Sequence, residues 1–331
     1  MRFVGSTAST LRHALLLCAL SALASANSPL NLALPVQQQT AKPEWCKKLP
    51  RPEYEALERV PTSETWFEVY KVAPNVYAIY EPHQSEETIS YLILGTDKAL
   101  LFDTGMGIGD MKILTAELTT LPVLVLNSHT HNDHVGGNWQ FDTVLGMDTD
   151  FTRANAQGSR GDAQAEIAPG EICGELPKDF DPESYATKPW KISRYVHDGE
   201  KLDLGGRTLE IITTPGHTPD SICLYDAASH LLFTGDTYYP GTIWLYRPET
   251  ELLLYESSIA RLEYQPRNIQ TLLGAHNLPT APGSVLPILA VASTRLRAMR
   301  DNGKGRCKSG GPGKKVCKVD SISFLLRAEP R

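Results

Sequence analysis

Ser128-His129-Thr130-His131-Asn132-Asp133-His134-Val135-Gly136-Gly137 packs three imidazoles and a carboxylate into six residues. The chain has nine histidines in 331 residues, so a third of them gather here. That is too dense for a merely polar loop. Each of these groups binds a metal only when deprotonated, and neutral imidazole with carboxylate suits zinc and related divalent ions. Alternation along His129-x-His131-x-Asp133 sends three side chains to one side of an extended or looped segment. His134 falls out of phase and points toward a second metal position.

The surroundings are those of a sheet edge. Upstream, Ala99-Leu100-Leu101-Phe102-Asp103-Thr104-Gly105 is an apolar run ending in a turn, and Leu121-Pro122-Val123-Leu124-Val125-Leu126-Asn127 is another. Both read as buried strands whose C-terminal ends deliver polar residues. Residues 107–120 between them read as a helix, which makes a strand–helix–strand unit. Downstream, Gly136-Gly137-Asn138 lets the backbone turn closely around the site.

His129-Thr130-His131-Asn132-Asp133-His134-Val135-Gly136-Gly137, preceded by Leu100-Leu101-Phe102-Asp103-Thr104-Gly105-Met106-Gly107, resembles the metallo-beta-lactamase superfamily, whose signature is HxHxDH after an Asp-Thr-Gly strand end. Three further motifs of that family stand in family order. Thr214-Pro215-Gly216-His217-Thr218-Pro219 carries a histidine, Phe233-Thr234-Gly235-Asp236-Thr237 an aspartate, and Leu272-Leu273-Gly274-Ala275-His276-Asn277 a last histidine. Each is weak alone, and together with the first they are strong. The resemblance covers roughly residues 68–300.

The resemblance implies an α/β fold, the αββα sandwich, with metals at one edge of the two sheets. Carried over residue by residue, it implies that His129, His131 and His217 hold one metal. Asp133, His134 and His276 would hold the other, with Asp236 bridging. Seven N and O ligands suffice for two ions and leave positions open for water. Two Zn2+ are therefore expected, although iron or manganese fits the same donor set. Adjacent cations lower the pKa of a shared water from ~15.7 toward ~7. Hydrolysis by a metal-bound hydroxide is the chemistry this constellation fits. Asp103, at a strand end, can orient a ligand imidazole, cap its own turn, or do both. Among the expected catalytic residues are Asp133 and the tyrosines Tyr238 and Tyr239, since a tyrosine near the metals can hydrogen-bond a substrate oxygen in this superfamily. Core packing of one of those rings is the competing reading. His83, His197 and His230 fall outside every motif and read as ordinary polar residues.

At 41% hydrophobic and 21% charged, the chain is an ordinary globular one able to bury a large core. Residues 1–26 read as a signal peptide: Arg2 and Arg12, a short apolar run from Ala14 to Leu20, then Ala24-Ser25-Ala26 as a cleavage site. The run is too short to span a membrane, so no stable membrane insertion is expected. Removing two arginines takes the formal charge from −6 to −8. That balance disfavours polyanions, and no nucleic-acid partner is expected. A secreted or periplasmic location also suits the cysteines. Cys307 and Cys317 flank a turn-rich, hairpin-like stretch and form the first expected disulfide. Cys46 and Cys173 can pair, and Cys223 reads as a buried thiol in a strand. Residues 27–65 are Pro- and Gln-rich and read as an extended arm that can wrap the body or a partner subunit, which leaves a homo-oligomer open. The folded domain is expected over 66–331. It carries an insertion at 151–195 able to act as a lid and a Cys-bridged segment at 303–331. Helices are expected at 249–264 and 282–300, and 322–326 as a closing edge strand.

Asp236 narrows the chemistry. The secreted β-lactamase subclass with HxHxDH usually has serine at that position. Lactonases and glyoxalase II-like thioesterases have aspartate, but the glutathione thioester of the latter is intracellular. The expectation is an exported hydrolase of a small-molecule acyl substrate, with lactone or ester C–O bonds ahead of β-lactams and thioesters. Tyr238, Tyr239, Ile243, Trp244, Leu245 and Tyr246 either line an acyl pocket or pack a helix. A di-iron oxidoreductase is the alternative from another class.

Overall fold

The runs Ile89–Leu94 and Ala99–Phe102 are apolar at nearly every position, so neither face of the sheet they build can be left to water. A computed structural model describes residues 42–264, 267–302 and 307–328. The leader read at 1–26 and the first part of the arm, 27–41, lie outside the described residues.

Among the described residues the first sheet has eight strands side by side in chain order: β1 (Glu58–Val60), β2 (Glu68–Ala73), β3 (Val76–Tyr80), β4 (Ile89–Leu94), β5 (Ala99–Phe102), β6 (Val123–Leu126), β7 (Val144–Met147) and β8 (Ile192–Val196). Its connections hold α1 (Met111–Leu118), the single turn α2 (Asn132–Val135), α3 (Asp150–Asn155) and α4 (Gly161–Glu166). Next come β9 (Lys201–Asp203), β10 (Thr208–Thr213), β11 (Ile222–Asp226), β12 (Leu231–Gly235), β13 (Thr242–Leu245), α5 (Leu252–Tyr264), β14 (Thr271–Gly274), β15 (Ala281–Pro282) and α6 (Val285–Asn302). The chain closes with β16 (Cys307–Ser309), β17 (Lys314–Val319) and β18 (Ile322–Arg327). The second sheet runs β15-β14-β12-β11-β10-β9, and a third runs β13-β18-β17-β16.

The layers follow from strand alternation. One set of side chains from the first sheet, including Tyr91, Ile93, Leu100 and Phe102, packs on Ile211, Leu224, Phe233 and Leu273 of the second. The other set, including Leu92, Leu101 and Val125, packs under Met111 and Leu114 of α1. On the far side, Ile212, Leu232 and Leu272 are covered by Tyr255, Ile259, Leu289 and Leu296 of α5 and α6. The order is helix, sheet, sheet, helix: an αββα sandwich. Arg207 ties the two sheets at one corner, pairing with Asp226 at 2.8 Å and donating to the carbonyls of Asn75 and Leu94.

Two parallel pairs place the functional edge. β5 and β6 run parallel with Phe102 beside Leu126, so Asp103 and the Asn127-Ser128-His129 stretch leave the sheet together. β12 and β14 run parallel with Gly235 beside Gly274, which brings Asp236 and His276 out at a common edge of the second sheet.

Several expectations change. Residues 42–65, read as part of an extended arm able to wrap the body, do pack against it but are not extended throughout. They form two 3-10 turns, Cys46–Lys48 and Pro52–Ala56, and the edge strand β1. Cys46 and Tyr54 are buried, the first through its disulfide to Cys173 and the second by stacking on Tyr80 at 4.5 Å. Elements this short leave no periodicity to read. The insertion ends as the sheet strand β8, parallel to β7; its sequence Ile192-Ser193-Arg194-Tyr195-Val196 hid this because it is largely solvated. Ile322–Arg327 is not an edge, since β18 lies between β13 and β17. The stretch after Asp236 is the strand β13, with Ile243 and Leu245 in the core. The helix expected at 107–120 is shorter, because Asp110 caps it by accepting the Ile113 N–H at 2.9 Å.

Cys46–Cys173 and Cys307–Cys317 are both disulfides, and Cys223 is a buried thiol. The first closes 127 residues of chain and the second 10. Loop-closure entropy then predicts that C46S/C173S costs about 5 kcal/mol and C307S/C317S about 3 kcal/mol. Urea midpoints of the two double variants test this, and an equal or larger loss from the short loop contradicts it.

Candidate metal centre

The strand ends are bound to one another before any ligand is placed. Asp103 follows β5 at φ +69°. One of its carboxylate oxygens accepts the Ser128 N–H at 2.7 Å, and the other faces His134 Nδ1 at 3.0 Å. Asp103 therefore both fixes its own turn and orients an imidazole. The loop after His131 folds back tightly: a Cβ on Gly136 would stand 2.1 Å from the Met106 carbonyl. Gly235, at φ +50°, would place a Cβ 2.4 Å from Ser128 Cβ, and the chain turns there to bring Asp236 into the site.

The alternation read along His129-x-His131-x-Asp133 does not survive. The chain turns into α2 directly after His131, so Asp133 is grouped with His134 and not with the two preceding histidines. Ligand atoms lie within 4.8 Å of one another in three sets: His129, His131 and His217; His129, His134 and Asp236; Asp133, His134 and His276. In the first, His131 Nδ1 stands 2.9 Å from His129 Nε2 and 3.1 Å from His217 Nε2. In the last, His134 Nε2 stands 2.9 Å from Asp133 Oδ2, with His276 Nε2 3.6 Å from that same oxygen. Asp236 lies between them, Oδ2 at 3.4 Å from His217 Nε2 and Oδ1 at 3.0 Å from His276 Nε2.

The outward nitrogen of every ring is engaged. His131 Nε2 meets Glu249 Oε1 at 2.6 Å, His134 Nδ1 meets Asp103, His217 Nδ1 meets the Trp244 carbonyl at 2.8 Å, and His276 Nδ1 meets the Glu86 carbonyl at 2.7 Å. These partners only accept, so a ring hydrogen sits on the outer nitrogen, and in the neutral ring the lone pair faces inward. His129 Nδ1 meets the Ser128 hydroxyl at 3.1 Å. His134 Nε2 and Asp236 Oδ1 are buried with no hydrogen-bond partner. Buried lone pairs facing one another at such distances repel unless positive charge, a proton or a metal ion, lies among them. The donor set fits divalent metal.

Electrostatics divides the centre. Burial and the surrounding rings hold His129 well below the usual imidazole range, and burial takes His217 down to about 4. Burial also disfavours charge on His276, yet Asp236 and Asp133 push it up to about 9. Asp133 and Asp236 are buried as well, but the neighbouring imidazoles keep both well below the usual carboxylate range. The half of the site around Asp133, His134 and His276 thus attracts positive charge, whether proton or metal.

Of the two tyrosines, one takes the competing reading of core packing and the other has its hydroxyl engaged by backbone. The Tyr239 hydroxyl donates to the Thr242 carbonyl at 3.0 Å and accepts from Trp244 N–H at 3.1 Å; only its ring edge reaches His276. Tyr238 packs in the core beneath α5 and α6. Both follow a strand end, and there the backbone of β13 claims the Tyr239 hydroxyl. His83, His197 and His230 lie outside the ligand sets. Glu249 is the partner that sequence reasoning missed, and Arg247-Pro248-Glu249 carries no motif to signal it.

Residues 87–281 match the family described as the metallo-beta-lactamase superfamily. Acyl-coenzyme A thioesterase MBLAC2 of Homo sapiens is 25% identical over 184 residues, covering 52% of this chain and 66% of that protein. The chain thus spans just under two thirds of this curated relative. A hydroxyacylglutathione hydrolase of a Synechococcus strain is 31% identical over 126 residues, 38% of each chain. A metallo-beta-lactamase family protein of Thermus thermophilus superposes with a TM-score of 0.51 at 20% identity, covering 72% of this chain and 86% of that one. That likeness speaks for the fold alone.

If Asp103 and Glu249 act by orienting His134 and His131, then D103N and E249Q each weaken divalent-metal binding roughly 10- to 100-fold. Competition with a chromogenic chelator measures this, and unchanged affinity in both variants contradicts it.

Proposed function

The chain belongs to the metallo-beta-lactamase superfamily, and on that premise we propose that it is an exported, dinuclear metal-dependent hydrolase of a small acyl compound. The bond cleaved is the C–O bond of a lactone or ester. The observation that carries this reading is the placement of Asp236 between the two ligand triads, with one oxygen toward each. A carboxylate so placed suits two ions held side by side.

His129, His131 and His217 would hold one ion and Asp133, His134 and His276 the other, with Asp236 common to both. Zinc is the first choice, and iron or manganese fits the same donors. When bound, such a pair supplies Lewis acidity toward a carbonyl and a nucleophilic water near neutral pH. The protein's share is positioning. Asp103, Glu249 and the carbonyls of Trp244 and Glu86 lock four rings in one tautomer. The Asp133 side chain is 11% exposed where that of Asp236 is 7%, so Asp133 is the more open of the two ligand carboxylates. Export is supported by the two disulfides. Among the described residues no helix is long and apolar enough to cross a membrane.

A thioester is the second reading, favoured by the names of the relatives, an acyl-coenzyme A thioesterase and a hydroxyacylglutathione hydrolase. Incubating the purified protein with N-acyl homoserine lactones, aryl esters, thioesters and β-lactams separates the cases. The expected result is lactone or ester cleavage that a chelator abolishes, that added metal restores, and that D133A lacks. Every substrate left intact by metal-loaded protein overturns the hydrolase reading.

A further inference from the structure

Beside His131 lies a cavity of about 280 Å³ between the insertion and the loop that follows β13, its walls including His131, Phe151, Asn155, Thr187 and Arg247. Two of these groups stand without partners. Thr187 is buried, and its hydroxyl makes no hydrogen bond. Arg247 is half-buried, and among the described residues its guanidinium makes no hydrogen bond or ion pair; it stands near the Tyr246 ring, at 5.8 Å. Leaving a buried donor such as the Thr187 hydroxyl unmatched is costly in a folded protein.

The acids around Arg247 do not answer it. Burial works against its charge, while Tyr246, Asp133, Glu166 and Glu249 lie close enough to keep it firmly cationic. Each of the three carboxylates is committed elsewhere. Glu249 holds His131 Nε2 at 2.6 Å, Glu166 accepts from Gln84 at 3.1 Å, and Asp133 faces His134 Nε2 at 2.9 Å. At the outer rim, Asp162 accepts from the Ser159 hydroxyl at 2.7 Å. A flat guanidinium offers paired N–H donors in the geometry of a carboxylate, and Thr187, whose buried hydroxyl has no partner, lines the same cavity.

We propose that this cavity is the subsite for a carboxylate carried by the acyl part of the substrate, received by Arg247 and Thr187. The substrate class is then a short acyl compound bearing its own negative charge, since about 280 Å³ admits only a short chain. The word substrate rests on the hydrolase reading above; the binding site itself does not.

Isothermal titration of the full-length, metal-loaded protein with glutarate and with butyrate tests it, because the two differ in the second carboxylate. The expected result is glutarate binding tighter by roughly 10- to 100-fold. R247Q brings glutarate down to the level of butyrate, while R247K and T187V each keep part of the preference. Equal binding of the two acids by the unaltered protein overturns the proposal. So does an unchanged preference in R247Q, or in T187V and R247K together should R247Q fail to fold. A glutarate preference with no acyl compound hydrolysed keeps the subsite and removes the hydrolase reading, and hydrolysis with no such preference does the reverse.

Discussion

Bare imidazole nitrogens and two carboxylates face one another in a buried space, and only positive charge makes that arrangement tolerable. The rest of the molecule is organised around holding it. Two parallel strand pairs, β5 with β6 and β12 with β14, bring Asp103, His129, Asp236 and His276 to one edge. Covered on both faces by helices and by each other, the sheets hold the ligand atoms of each set within 4.8 Å of one another. Preorganisation of that kind is what a hydrolytic centre needs, since a ligand free to relax away from its neighbours does so.

The outer contacts decide which atoms meet. Imidazole has two nitrogens, and the partner on the outside selects the one that points inward. His131 turns Nδ1 to the centre because Glu249 takes Nε2, whereas His134, His217 and His276 present Nε2 because Asp103 and two backbone carbonyls take Nδ1. This is a property of the assembled fold.

The ligands were legible in the sequence because metal-binding side chains are rare and were concentrated: His129 to His134 in one motif, then His217, Asp236 and His276 each at the end of an apolar run. The long strands were legible for a related reason, that continuous apolar runs have few other uses. What stayed hidden is what short or solvated segments do. Residues 42–65 read as an arm because two 3-10 turns and a three-residue strand carry no period. Glu249 looked like any loop acid, and β8 like part of a lid. The alternation along His129-x-His131-x-Asp133 fails because it assumes an extended chain, and the chain turns helical at Asn132; the grouping of Asp133 with His134 and His276 comes from the family resemblance instead. Tyr238 and Tyr239 were placed near the metals by position alone, but one ring belongs to the core and the other hydroxyl to the backbone of β13.

The central claim is that seven side chains hold two cations, with Asp236 shared between them. Anomalous diffraction at the zinc edge, from crystals grown with the metal, tests it most directly. The account predicts two peaks, one inside His129, His131 and His217 and one inside Asp133, His134 and His276, each in contact with a different oxygen of Asp236. A single peak, or metal seated away from these residues, would contradict it.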